Sequence, residues 1–386
     1  MKLIFIINNA KFIGGGDYSI FKFAEHLASR GHDVTIFTSV KNAFTSKLAN
    51  KKNLSIMYSG SVRGMFKGAG IIDRVWDKVY TKIVLEQFIG GGNIDFIIGY
   101  HRIGTIKTQR LAKKFNVPSA VFVFETPDWM ASRLNDRWFR DYHGRFKKSW
   151  IKTKKALEKV NIIIPNSKLT GIQNEKWLNR KIESPVYPGL DTKIPDSLPE
   201  FKKENQIIYL GRLNAYKNID ILIKSLSEIK NAPKLVLCGD GEEKNNLIEL
   251  ANSLKINCEF KGTIGDNEKW MEIKKSLFMV FPSSFEGFGM PPMEALYCEI
   301  PCICSDIPIF HEVYKDRVEY FQEGNIKELA EKIKYLLNNP KYRSKRGKEG
   351  KFFIKTHYSW SKSAEKIEKL LSGYKNGNRT GHDYKN

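Results

Sequence analysis

Two glutamates, Glu286 and Glu294, stand eight positions apart around a glycine-bearing turn in the sequence SSFEGFGMPPMEAL. The apolar run before the turn, residues 277–281, is typical of a buried parallel strand, and the prolines after it suit a helix start. Backbone amides at a helix start attract anions, and carboxylates accept hydrogen bonds from hydroxyl groups. The pattern therefore indicates a site for a phosphorylated sugar. The alternative is that both acids only cap the helix.

Two cations, Arg212 and Lys217, follow a second apolar run at 207–210. Open parallel sheets bind ligands at the carboxyl ends of their strands, so both side chains are candidates for binding a diphosphate. Arginine binds two phosphate oxygens at once, whereas lysine acts as a point charge. The alternative is that both are ordinary solvated surface cations.

Alternating apolar runs and helical patterns predict a doubly wound α/β architecture. The length of 386 residues exceeds one ordinary core and indicates two domains. The glycines at 14–16 are predicted to form a loop before a helix that begins near Tyr18, and prolines between 185 and 199 break the alternation. We predict an N-terminal domain at 1–190, a linker at 191–205, a C-terminal domain at 206–357, a last helix at 358–372 and a disordered tail at 373–386.

The passage from Phe281 to Glu312 resembles the donor-site signature of GT-B glycosyltransferases of family 4, which are retaining enzymes that use nucleotide-sugars. Three further elements follow the family's order: Pro-Gly-x-Asp at 188–191, Gly-Arg-Leu…Lys-Asn at 211–218, and the helix that contains Trp360. The resemblance implies two Rossmann-like domains that face each other across a cleft. It also implies that the last helix crosses back to the first domain.

The resemblance assigns roles to individual residues. It implies that Glu286 contacts the transferred sugar, that Glu294 binds the ribose, and that Arg212 and Lys217 neutralise the pyrophosphate leaving group. The glycine loop is expected to face the donor phosphates, and residues 261–264 lie where the family packs the nucleobase. The further donor-binding candidates are Gly15, Gly16, Gly239, Thr263, Ile264, Gly287, Phe288, Gly289 and Met290.

The acceptor side is expected near His101, Glu125 and Asp128, which follow apolar runs. Many family members carry a histidine at the second of these loops, where this chain has Glu125. A carboxylate there is a candidate catalytic group that polarises the acceptor hydroxyl, and a helix cap or an ion pair is the alternative. A second departure is Glu299, which stands where the family usually ends a helix with a left-handed glycine.

The net charge of +22 is concentrated in the first half of the chain. Residues 63–82 and 133–159 interleave basic and aromatic side chains. This mixture favours an anionic membrane surface or an acidic lipid-linked acceptor as a partner, although an ordinary solvated helix face explains the charges equally well.

The sequence does not indicate a metal site, a cofactor, a membrane-spanning segment or a signal peptide. Asp-x-Asp does not occur and the seven histidines form no close pair, so no metal and no cofactor is expected beyond the nucleotide-sugar substrate. No apolar run is long enough to cross a membrane, and the first one is too short for a signal peptide. The cysteines lie mostly in apolar runs, and we interpret them as reduced thiols in the core. We therefore expect a cytoplasmic protein, with peripheral attachment to the inner face of the plasma membrane as a further possibility.

The leading hypothesis is a retaining, metal-independent hexosyltransferase. It would move a sugar from a UDP- or GDP-type donor to a hydroxyl of a surface-glycan or lipid-linked acceptor. Nucleotide-sugar epimerases and phosphorylases share this fold and are alternatives. A non-enzymatic protein that binds anions or nucleic acid is a third reading, but no nucleic-acid motif accompanies the charge, so no nucleic-acid partner is expected.

Overall fold

The computed structural model describes residues 1–7, 14–38, 41, 43–58, 83, 85–133 and 148–377. Their contacts divide the chain into two compact units. The first unit contains the described residues within Met1–Pro127, His143–Gly189 and Trp360–Asn386, and the second contains those within Asp128–Tyr142 and Leu190–Ser359. The basic segment at 63–82 lies outside the described residues, as do residues 134–147 of the other basic segment.

Within the described residues, the first unit is built on a six-stranded parallel sheet. Its strands are β1 (Lys2–Ile7), β2 (Asp33–Thr38), β3 (Leu54–Tyr58), β4 (Phe96–Tyr100), β5 (Ser119–Val123) and β6 (Ile162–Pro165). They lie in the order β3-β2-β1-β4-β5-β6. Most of these strands are buried almost along their whole length, which explains why they are nearly continuous apolar runs in the sequence.

The second unit repeats this arrangement in the residues that the structure describes. Its strands are β7 (Gln206–Leu210), β8 (Lys234–Cys238), β9 (Cys258–Gly262), β10 (Met279–Phe281), β11 (Cys302–Ser305) and β12 (Glu319–Phe321). They lie in the order β12-β11-β10-β7-β8-β9. Both sheets therefore have the Rossmann strand order, and the chain reverses its direction of winding between β1 and β4 and again between β7 and β10.

Helices connect the strands in both units. Those before residue 190 are α1 (Gly15–Ser29), α2 (Ala43–Ala49), α3 (His101–Phe115), α4 (Pro127–Arg133) and α5 (Lys168–Leu178), with further helical residues at 85–90 and 148–157. Those of the second unit are α6 (Lys193–Ser197), α7 (Ile219–Ser227), α8 (Lys244–Ser253), α9 (Asp266–Lys275), α10 (Met290–Tyr297), α11 (Pro308–Tyr314), α12 (Ile326–Asn338) and α13 (Pro340–His357). The last helix is α14 (Trp360–Lys375).

Helix α14 packs in the first unit, against α1. The Trp360 ring meets Phe23 edge-on, with centroids 5.4 Å apart. The helix also extends to Lys375, three residues past its predicted end, so residues 373–375 are helical rather than part of a disordered tail. The reason is that Tyr374 is anchored: its ring packs on Phe96 at 6.0 Å, and its hydroxyl accepts a hydrogen bond of 2.5 Å from Asn161. Residues 378–386 of the predicted tail lie outside the described residues.

Glu299 ends helix α10 in the left-handed conformation that usually favours glycine, with φ of +60°. Helix α13 packs closely against this turn. A Cβ on Gly347 would lie 2.0 Å from the carbonyl oxygen of Glu299, so this approach requires a glycine on α13. Glu299 therefore adopts the left-handed turn for which the family usually has a glycine.

Replacing Glu299 by Gly is expected to raise the free energy of unfolding of the second unit by about 0.5–1 kcal/mol, because glycine adopts positive φ without a Cβ penalty. Thermal unfolding would measure the change. Glu299→Gln is the matched control, since it removes only the exposed ion pair to Lys351, whose Nζ lies 3.0 Å from the carboxylate, and keeps the strained backbone. A melting temperature for Glu299→Gly at or below that of the control would contradict the strain argument.

Candidate functional site

The loops that follow β7 and β10 are joined at the point where the second sheet reverses its winding. Asn218 closes the first loop with φ of +51°, and its side-chain amide donates to the Pro282 carbonyl at 3.0 Å and to the Ser284 hydroxyl at 2.6 Å. The Ser284 amide in turn donates to the Tyr216 carbonyl at 2.9 Å. These bonds fix the two loops as one surface at the carboxyl edge of the sheet, where such folds bind ligands.

Lys217 and Glu286 form an ion pair on this surface, one from each loop. The lysine side chain is 9% exposed and the glutamate side chain 14%. The lysine Nζ also lies 4.9 Å from the centroid of the Tyr216 ring and 5.4 Å from that of Phe281. Partial burial strengthens the attraction between the charges, and the rings stabilise the cation further. The structure thus brings together one cation and one carboxylate that the sequence singled out separately.

Arg212 lies at the exposed rim of the same loop. Its Nη2 donates to the Tyr216 hydroxyl at 3.3 Å, and its carbonyl oxygen accepts a hydrogen bond of 2.8 Å from the hydroxyl of Tyr209. Burial raises the pKa of Tyr209, so this hydroxyl stays protonated and can donate. The backbone of Arg212 is therefore held in place while its guanidinium remains accessible to an anion.

Gly289 precedes α10 with φ of +85°. A Cβ at this position would come within 2.6 Å of the Phe310 ring, and the Tyr314 hydroxyl donates to the Gly289 carbonyl. The helix begins at Met290, so Pro291 is its second residue rather than its first, which still places the proline where no amide donor is needed. Of the other predicted donor contacts, Gly287 is half-buried and Phe288 is buried against Tyr358.

Glu294 lies in the second turn of α10 and pairs with a residue that the sequence analysis missed. The Lys269 Nζ on α9 lies 2.7 Å from its Oε1. The two residues are 25 positions apart on separate helices, so no local motif connects them. The mostly buried cation beside Glu294 can therefore be identified only from the structure.

Gly239 has a clear structural reason to be glycine. Its φ is +144°, and a Cβ would lie 1.8 Å from the Gly211 carbonyl oxygen. Its amide donates to the Gly262 carbonyl at 2.7 Å. The backbones after β7, β8 and β9 therefore approach each other closely at this edge. The predicted nucleobase contacts follow β9, with Thr263 exposed and Ile264 half-buried.

In the first unit, Gly15 and Gly16 are the first two residues of α1, which begins three positions before the expected Tyr18. A Cβ on Gly16 would lie 2.4 Å from the Tyr100 hydroxyl and 3.0 Å from the Phe124 ring, whereas a Cβ on Gly15 would meet no atom within 4 Å. The residues at the ends of β4 and β5 thus approach Gly16 closely. Gly15 is not constrained by packing.

The three acceptor-side candidates differ in their surroundings. His101 is the first residue of α3, and its side chain lies outside the described part of the chain. Glu125 follows β5 and is half-buried. Asp128 is exposed on α4, next to Trp129, whose ring packs on Phe285 at 4.7 Å. Asp128 therefore lies on a helix anchored to the loop that carries Glu286.

The described residues contain no group of three or more histidine, cysteine, aspartate or glutamate side chains arranged to hold a metal ion. None of the described helices combines the length and the apolar character needed to cross a bilayer.

Residues 191–353 match the protein family described as Glycosyl transferases group 1. The O-antigen chain mannosyltransferase RfbU of Salmonella typhimurium is 30% identical over 148 residues, which are 38% of this chain and 42% of that protein. The chain spans about half the length of the first curated relatives it matches, from 42% to 55%.

Solved structures resemble the chain along nearly its whole length. Sucrose-phosphate synthase from Thermosynechococcus elongatus has a TM-score of 0.79 at 16% identity and covers 97% of this chain and 99% of that one. Anabaena HepE in complex with UDP-glucose has a TM-score of 0.72 at 14% identity, and the match covers 97% of this chain and 100% of that one. These likenesses, with the two Rossmann-type sheets, confirm the predicted GT-B fold. Residues 191–353, which lie within the second unit, are thus similar to the glycosyl transferases group 1 family.

Proposed function

We propose that the chain is a retaining glycosyltransferase that moves a sugar from a UDP- or GDP-type donor to a hydroxyl of a surface-glycan or lipid-linked acceptor. The observation that carries the proposal is the pairing of Lys217 and Glu286 where the second sheet reverses its winding. This edge of a Rossmann sheet is a ligand site on general grounds, and here it lies within the matched glycosyltransferase domain.

The proposed roles follow from charge and position. The bond between the sugar and the diphosphate of the donor breaks, and the diphosphate leaves with the bonding electrons. Arg212 and Lys217 stabilise the negative charge that the diphosphate then carries. Glu286 is fixed by Lys217 and orients the hydroxyls of the transferred sugar, and Glu294 binds the ribose. In this scheme the cations and the amides before α10 stabilise the leaving group without a metal.

The nature of the donor and acceptor is inferred by analogy. The relative RfbU is named an O-antigen chain mannosyltransferase, and HepE was solved with UDP-glucose. The HepE complex supports a nucleotide-sugar donor, and the name of RfbU supports a glycan acceptor. We propose Glu125 as the group that polarises the acceptor hydroxyl, and His101 and Asp128 as further acceptor-side residues. We also propose that the protein attaches peripherally to the inner face of the plasma membrane, where it would meet a lipid-linked acceptor.

The proposal is tested by a transfer assay with a panel of UDP- and GDP-sugars and a lipid-linked glycan fraction as acceptor. We expect release of the nucleoside diphosphate that depends on both substrates, and NMR of the product should show the anomeric configuration of the donor. Inversion of the anomer would refute a retaining mechanism. Isomerisation of the sugar without an acceptor would instead support the epimerase alternative.

A further inference from the structure

Lys269 and Glu294 join helix α9 to helix α10 through a mostly buried ion pair. The side chains are 19% and 12% exposed, and Nζ lies 2.7 Å from Oε1 of the glutamate. The same Nζ lies 4.7 Å from the centroid of the Trp270 ring and 3.6 Å from Oδ1 of Asp266. Burial opposes the charged form, but the Glu294 and Asp266 carboxylates outweigh it and raise the pKa of Lys269. Lys269 is therefore a cation throughout the physiological pH range.

The ion pair uses only one of the two oxygens of Glu294. Within the part of the chain that the structure describes, Oε1 accepts a hydrogen bond from Lys269 and Oε2 accepts none. Because the carboxylate is held at one oxygen, it loses rotamer freedom before any ligand arrives. A ligand then binds an acceptor that is already oriented, which reduces the entropic cost of binding.

We infer that Lys269 determines specificity for ribonucleotides, because it orients Glu294 to accept hydrogen bonds from the neighbouring 2′- and 3′-hydroxyls of the donor's ribose. The inference rests on the proposed function, in which Glu294 binds the ribose. Lys269 acts through Glu294 and not on the reacting atoms, so it is a positioning residue. Its removal should change the selection between ribose and deoxyribose more than it changes the fold.

The test measures two dissociation constants by isothermal titration calorimetry, one for a ribonucleoside diphosphate and one for its 2′-deoxy counterpart. The probes are UDP with 2′-deoxyUDP and GDP with 2′-deoxyGDP. Lys269→Met removes the charge and keeps the apolar stem, whereas Lys269→Arg keeps the charge. Asp266→Asn is the matched control, because Asp266 is 61% exposed and lies farther from Nζ than Glu294 does.

The wild type is expected to bind the ribonucleotide with a dissociation constant roughly 10- to 100-fold lower than that of its 2′-deoxy counterpart. This is the range expected from one hydrogen bond to a charged group. Lys269→Met should reduce this preference by about tenfold, while Lys269→Arg and Asp266→Asn retain it. An unchanged preference in Lys269→Met overturns the inference and leaves the proposed function intact. If the wild type binds none of the four nucleotides, the proposed function fails, and the inference fails with it.

Circular dichroism and thermal unfolding establish that each variant is folded before its affinities are compared. Lys269→Gln provides a second variant without the charge in case Lys269→Met does not fold. A purely structural role for Lys269 would not reduce the preference for ribose in a folded variant. If the substitution only made the site less ordered, the affinities for the ribonucleotide and the deoxyribonucleotide would fall alike.

Discussion

Replacing Lys217 by Met is expected to lower sugar transfer by roughly 10²- to 10³-fold, the usual cost of removing one group that stabilises charge in a transition state. Lys217 comes from the loop after β7 and pairs with Glu286 from the loop after β10. The substitution removes the positive charge proposed to meet the leaving diphosphate, and it also releases the carboxylate that orients the sugar. The measurement is the rate of nucleoside diphosphate release in the presence of acceptor.

Two variants separate catalysis from stability in this experiment. Lys217→Met leaves Glu286 as a mostly buried charge without its partner and is expected to cost about 1–3 kcal/mol of stability. The double variant Lys217→Met/Glu286→Gln removes both charges and should recover that stability but not the activity.

Lys224→Met is the matched control, because it removes a lysine from the next helix whose ion pair to Asp220 is exposed. Its activity should be unchanged. Full activity in the double variant would show that the ion pair has only a structural role.

Replacing Gly239 by Ala is expected to destabilise the second unit by about 3 kcal/mol or more, because both the backbone angle and the space exclude a side chain. The added Cβ would lie 1.8 Å from the Gly211 carbonyl oxygen, and φ is +144°. The obstacle is backbone, which cannot rotate away as a flexible side chain would. At about 2–4 °C per kcal/mol, the unfolding transition of this unit should fall by about 6–12 °C.

Gly265→Ala is the control for this second prediction. Gly265 precedes α9 with φ of −75°, and a Cβ there would meet no atom within 4 Å. Its melting temperature should stay close to that of the wild type. If Gly239→Ala melted with the control but bound nucleotide poorly, Gly239 would act mainly as a ligand contact, as the sequence pattern suggested, and the packing argument would be wrong.

Much of the fold could be predicted because buried parallel strands are nearly continuous apolar runs, as in 2–7 and 207–210. Strand order could not be predicted from composition, since it depends on which strands pair in space. The sequence predicts that α1 begins near Tyr18, because the glycines at 14–16 indicate a loop. The helix nevertheless begins at Gly15, where the close approach of Tyr100 and Phe124 to Gly16 excludes a larger residue.

Some features of the candidate site could likewise be predicted from the sequence, and others could not. Glu286 and Lys217 could be singled out because each lies in the loop segment after an apolar run, and the carboxyl ends of adjacent strands meet at one edge. Their mutual ion pair and the cation beside Glu294 depend on tertiary contacts between distant segments. Lys269 looked like any solvated lysine on a helix, and only its burial against Glu294 distinguishes it.

The central claim is that the surface around Lys217, Glu286 and Glu294 binds a nucleoside diphosphate. Thermal unfolding of the wild type in the presence of UDP, GDP and their sugar derivatives tests it most directly, because a ligand that binds only the native state raises the melting temperature. We predict that one nucleotide stabilises the wild type and Lys224→Met, and that Glu294→Ala loses the shift. The absence of a shift with every nucleotide, or an unchanged shift in Glu294→Ala, would contradict the account.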